Sequence, residues 1–174
     1  MIAKTSRRRL IKAAIAFGVV TAIGGVGAFV RTRGYEAPAG VTLASLSPWQ
    51  WIVVRALARR VCAADREGIV SADDVDVAGF VDAYAAKMPA RMRRDLGRFL
   101  AYVEHAAPLA IRSASRFSRL AADEQDRVLA SLEANDNPLL RGGFDGVKSL
   151  LFMGYYRDAR TWTVIGYGGP LVHR

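Results

Sequence analysis

The sequence is poor in the residues that hold cofactors. Cys62 is the single cysteine among 174 residues, which excludes an intrachain disulfide, a C-x-x-C-H haem attachment and any cysteine-built iron–sulfur or zinc set. It falls on one helical face with Trp51, Val54, Ala58 and Val61, where it is expected to pack as a small hydrophobe. Histidine is scarce too. His105 and His173 are far apart, and His105 follows Arg91, Arg94 and Arg98 at helical spacing, the pattern of a solvated face. No P-loop, G-x-S-x-G or H-E-x-x-H stretch is present, and Gly166-x-Gly168-Gly169 lacks the third glycine of a dinucleotide loop. No carboxylates stand in an identifiable pair. The expectation is a chain that binds no cofactor or metal of its own and is not by itself an enzyme.

Acid is also missing where base is abundant. Residues 1–39 hold seven Lys/Arg against one acid, Glu36, or +6; the remaining residues hold eighteen basic and fifteen acidic side chains, or +3 of the total +9. A phosphate-binding domain keeps its excess charge in the folded part as a patch or stripe. This distribution argues against nucleic acid as a partner.

What is there instead begins with a basic stretch followed by an apolar one. Residues 13–30 carry no charge but include Gly18, Gly24, Gly25 and Gly27, so the segment is only moderately apolar for a bilayer span. Basic, then apolar, then small residues is the order of an export signal, and Ala37-Pro38-Ala39 offers a cleavage site after residue 39. Residues 6–12 resemble the twin-arginine signature: Ser6, the pair Arg7 and Arg8, a free position, apolar Leu10 and Ile11, then Lys12. Leu10 stands where Phe is more usual. Two readings follow, a cleaved twin-arginine signal over 1–39 or the same segment retained as a membrane anchor with a basic flank. The twin-arginine reading implies passage through that translocation machinery in the folded state, to the periplasm, with association with the inner membrane where the segment is retained.

Residues 40–174 read as a small all-α helical bundle domain behind this apolar signal helix, with an irregular C-terminal tail rich in glycine and aromatics. Ser47 caps a helix that opens on Pro48 and runs to about Ala64. A second, from about 76 to 87, places Val77, Phe80, Val81 and Tyr84 on one side. A third, about 90–106, carries an apolar stripe of Met92, Leu96, Phe99, Leu100 and Val103 opposite arginines that are solvated or paired with acids such as Asp95. A fourth, 123–134, bears Val128, Leu129 and Leu132. The last lies within 138–156, loosened by Gly142, Gly143 and Gly146.

Residues 151–170, LFMGYYRDARTWTVIGYGGP, carry a family resemblance. Gly154, Tyr155 and Tyr156, a short polar step through Asp158, Thr161 and Trp162, and then Ile165, Gly166, Tyr167, Gly168, Gly169 and Pro170 resemble the end of the gluconate 2-dehydrogenase subunit 3 family. Residues 116–133, RFSRLAADEQDRVLASLE, are similar to an upstream segment of that family. The resemblance implies a non-catalytic small subunit of a sugar or alcohol dehydrogenase complex. Its large partner would be an FAD-dependent flavoprotein of the glucose-methanol-choline (GMC) type, which can pass electrons to a multihaem cytochrome c subunit. The small chain would carry the export signal and assist folding or flavin loading of the large one. FAD then belongs to the partner, and the substrate is a property of that partner. This chain is shorter than gluconate dehydrogenase small subunits between Tyr156 and Trp162.

The residues from Gly154 to Pro170 are accordingly expected at the partner interface, with Trp162 and Tyr167 as anchors. The alternative is that Tyr155, Tyr156, Trp162 and Tyr167 close the domain's own core. A segment with several glycines and few long apolar side chains loses much entropy on ordering alone, which favours the interface. The competing function is an independent membrane-anchored helical interaction protein.

Overall fold

A computed structural model describes residues 35, 39–63 and 68–169, and all of these except Tyr35 belong to one compact unit, Ala37–Arg174. The export-signal residues Ser6, Arg7, Arg8, Leu10, Ile11 and Lys12, and Pro170 at the other end, lie outside the described residues. The described part is all-helical, with no strand: α1 Pro48–Ala58, α2 Val77–Lys87, α3 Ala90–His105, α4 Ala122–Glu133 and α5 Pro138–Tyr156. Short 3-10 segments lie at Ala107–Ile111, Phe117–Arg119 and Ala159–Ile165. None of these helices is long and apolar enough to cross a membrane.

α1 starts as its sequence predicts. Ser47 is extended at the N-cap, Pro48 takes the first helical position, and the Ser47 N–H donates to Gln50 Oε1 at 2.8 Å. The α-helix ends earlier than expected, at Ala58, and passes into a π turn, Arg59–Ala63. That turn aims Arg60 at Asp126 of α4 (2.9 and 2.7 Å), while Arg55 and Arg59 both hold Asp73. Cys62 is buried here as expected, and burial pushes its thiol up to about 12. In the unfolded chain the thiol ionises near its ordinary value of about 8.5. The neutral thiol therefore favours the folded state fully below that pH, and this contribution is lost as pH rises through the folded value. Near pH 8 the folded chain should react with a thiol reagent orders of magnitude more slowly than the chain in denaturant; equal rates would contradict the burial.

The faces of α2 and α3 differ from their sequence reading. On α2 the buried positions are Val77, Ala78, Val81, Asp82 and Ala85, while Tyr84 is exposed and Phe80 half-buried. The rotation follows from Asp82. Its carboxylate accepts the N–H groups of Ala44 (2.6 Å), Ser45 (2.9 Å) and Leu46 (2.7 Å), so the arm before α1 lies on α2 at that position. On α3 only Leu100, Val103 and Glu104 are buried; Leu96 and Phe99 are half-buried and Met92 is exposed, because the first turns of the helix extend past the core. His105 is half-buried, its ring 6.4 Å from that of Trp49, and not on a fully solvated face.

α5 is unbroken over 19 residues, contrary to the expectation that its glycines loosen it. Two glycines admit neighbouring helices. A Cβ on Gly143 would stand 2.7 Å from the Phe99 ring of α3, and one on Gly154 would stand 2.8 Å from the Phe80 ring of α2. Val53, Leu57, Val77, Leu100, Val103 and Val128 fill the space among the helices, together with Phe117 from a 3-10 turn.

Candidate partner interface

The predicted interface residues divide into two sets. Gly154 and Tyr155, on the last turn of α5, are buried. Tyr155 has no exposed surface, its ring meets Tyr156 edge-on at 5.2 Å, and its hydroxyl donates to the Val70 carbonyl at 2.7 Å. Within this chain both residues are core, and for Tyr155 that is where the alternative reading of the aromatics placed it. The reason is geometric: α5 continues through Gly154 and Tyr155 against α2, so the helix period turns them inward.

The second set forms a surface. Beyond α5 the tail is less irregular than its composition suggests, because Ala159–Ile165 is a 3-10 helix. Its N-cap is Asp158, which accepts from the Arg160 backbone at 2.9 Å and from the Arg160 guanidinium at 2.8 Å. These side-chain and backbone hydrogen bonds from Arg160 hold the Asp158 carboxyl at about 2. Thr161 is buried, its hydroxyl donating to the carbonyls of Tyr155 and Asp158 (3.1 and 2.8 Å). Trp162 is half-buried and donates through Nε1 to the Tyr156 carbonyl at 2.8 Å. Tyr167 meets it edge-on at 5.1 Å, and Gly169, at φ +104°, closes over the same indole.

A continuous aromatic strip results. The Phe152 ring lies tilted beside that of Tyr156 at 5.9 Å, the Tyr156 carbonyl holds Trp162, and Trp162 supports Tyr167. Tyr167 is 47% exposed and Ile165 56%, and Phe152 and Met153 are exposed beside them. Tyr167 and Ile165 therefore face outward, whereas Trp162 pins the tail to the helix. Gly166 sits at φ +65° and ends the 3-10 helix, and Gly168 is exposed with open space around it. Residues 166–169 thus form a helix C-cap and not a phosphate-cradling loop opening a helix.

A depression of about 290 Å³ is lined by Arg60, Asp126, Glu133, Phe144, Lys148 and Phe152 among others. Its charges are already committed, Arg60 to Asp126 and Lys148 to Glu133 and Asp145. Among the described residues no three His, Cys, Asp or Glu side chains are grouped to hold a metal ion. Two buried carboxylates escaped the sequence reading. Asp82 holds the N-terminal arm, and Glu104, with no exposed surface, accepts from the Ser118 amide at 3.0 Å and its hydroxyl at 2.7 Å. The signal for both was an acid on an apolar helical stripe, Asp82 beside Val81 and Glu104 beside Val103.

The model of the family described as gluconate 2-dehydrogenase subunit 3 matches residues 48–169, from the first residue of α1 to the glycine that closes over Trp162. No curated protein and no solved structure matches the chain significantly.

Proposed function

The chain belongs to the gluconate 2-dehydrogenase subunit 3 family, and from that membership we propose that it is the non-catalytic small subunit of a periplasmic FAD-dependent sugar or alcohol dehydrogenase. The family match carries the reading. In it, the GMC-type flavoprotein holds FAD and substrate, and a multihaem cytochrome c subunit can accept the electrons. This chain takes no part in the chemistry. It brings the twin-arginine signal of residues 1–39 to the complex and assists folding or flavin loading of the large subunit. The strip formed by exposed Phe152, Ile165 and Tyr167 over half-buried Tyr156 and Trp162 supports a binding role, since aromatic surface that can be desolvated against a partner tends to dominate interface energetics.

Export tests the first half of the reading. Changing Arg7 and Arg8 together to lysine keeps the charge but removes the arginine pair, and should stop delivery of this chain and of the flavoprotein activity to the periplasm. Normal delivery of the double variant would remove the twin-arginine assignment. Binding tests the second half. Tyr167→Ala should lower recovery of a yellow flavoprotein on affinity purification by an order of magnitude or more, corresponding to a truncation cost of about 2 kcal/mol. Unchanged recovery with Tyr167 and Ile165 both replaced by alanine would place the interface elsewhere.

A further inference from the structure

The two turns that open α3 bury nothing. Residues 89–95 are all exposed, Arg91, Arg93 and Arg94 among them, and α2 ends just before on exposed Lys87. None of these four cations makes an ion pair or side-chain hydrogen bond among the described residues; the acid on this stretch, Asp95, is held by Arg98 at 3.2 Å. The first turn of α3 has no acid, so three arginines face the positive end of the helix dipole, a placement that works against the helix. Folding of this chain does not call for that arrangement. Met92, 56% exposed among the arginines, and Tyr84, 40% exposed one turn before Lys87, are the exposed large apolar side chains on these two helices.

The corner also lies near the point where the N-terminal arm reaches the domain. Ala44, Ser45 and Leu46 are held by Asp82, five residues before Lys87, or about 7.5 Å along the helix. Fourteen residues upstream of Ala44 the uncharged segment 13–30 ends, a tether of at most about 50 Å. We propose that the basic corner between α2 and α3 docks on the headgroups of an anionic lipid bilayer. The inference rests on reading residues 13–30 as a segment that enters the membrane, whether in transit or retained. The cations meet headgroup phosphates, while the Met92 thioether and the Tyr84 ring occupy the boundary above the acyl chains. Tethering keeps the corner close enough for a few cations to suffice.

The buried Cys62 makes the test clean, because its thiol is inert beside an introduced surface cysteine. The full chain carrying Met92→Cys is labelled with an environment-sensitive fluorophore, and Leu139→Cys, at an exposed position on α5, serves as control. Mixed phosphatidylglycerol–phosphatidylcholine vesicles should blue-shift the Met92 label and not the control, and raised salt should reverse the shift. Pure phosphatidylcholine should leave both labels unchanged. Adding Arg91→Gln, Arg93→Gln and Arg94→Gln should weaken docking on the order of a hundredfold, which removes the shift. Flotation of that variant with vesicles through residues 13–30 should persist, so failure of the segment and failure of the corner are told apart. A Met92 label that stays silent on anionic vesicles, responds equally to phosphatidylcholine, survives the triple change, or responds only to an acidic protein overturns the proposal.

Discussion

Tyr155→Ala is expected to destabilise the domain by about 3–5 kcal/mol, while Tyr167→Ala, twelve residues later, should leave its melting temperature nearly unchanged. Both are tyrosines of the same C-terminal stretch, and their difference lies in what surrounds them. Tyr155 has no exposed surface, and its hydroxyl closes on the Val70 carbonyl at 2.7 Å, so truncation leaves a cavity in the core and an acceptor without its donor. Tyr167 is 47% exposed and touches the domain through the edge of Trp162. Circular dichroism melts of the two full-length variants measure both effects, and recovery of the proposed flavoprotein partner reads the interface separately. Tyr155→Phe separates cavity from hydrogen bond and should cost about 1 kcal/mol. A stable Tyr155→Ala variant that has lost its partner would show that the residue acts at the interface despite its burial.

Asp82→Ala is expected to cost about 2–4 kcal/mol and to free the N-terminal arm. One carboxylate serves three consecutive amides, those of Ala44, Ser45 and Leu46, and alanine would leave all three without an acceptor. In Asp82→Asn the remaining oxygen can still accept from Ser45 and Leu46, which share one carboxylate oxygen, while the amide NH₂ faces the Ala44 N–H, so this variant should recover only part of the loss. Hydrogen exchange at the three amides is the direct measurement. Retained protection in Asp82→Ala with an unshifted melt would show that the arm is held by other contacts, chiefly the burial of Leu46.

Local signals were enough to read most of the helices. Pro48, Asp76 before an apolar run, Met88-Pro89 and Asn137-Pro138 act through capping and proline geometry within a few residues, and the helices start where these residues stand, although the Ser47 hydroxyl itself makes no cap hydrogen bond. The resemblance in residues 116–133 and 151–170 pointed to the family that the match over residues 48–169 then showed. The absence of a second cysteine settled at once that no intrachain disulfide forms.

Tertiary structure decided which side of each helix is inside and what each glycine and acid is for. Gly143 reads as a helix weakener because propensity concerns the isolated helix; in the fold its missing Cβ admits the ring of Phe99, as that of Gly154 admits the ring of Phe80. Asp82 and Glu104 went unread because their partners, the amides of residues 44–46 and Ser118, become neighbours only after folding. Met92 belongs to an apolar stripe by periodicity, yet α3 projects two turns past the core and leaves it exposed. Tyr155 and Tyr167 could not be separated by composition, since the same ring serves core or surface. The path of α5 against α2 turns one inward and carries the other out past Trp162, and that path is a property of the packed chain.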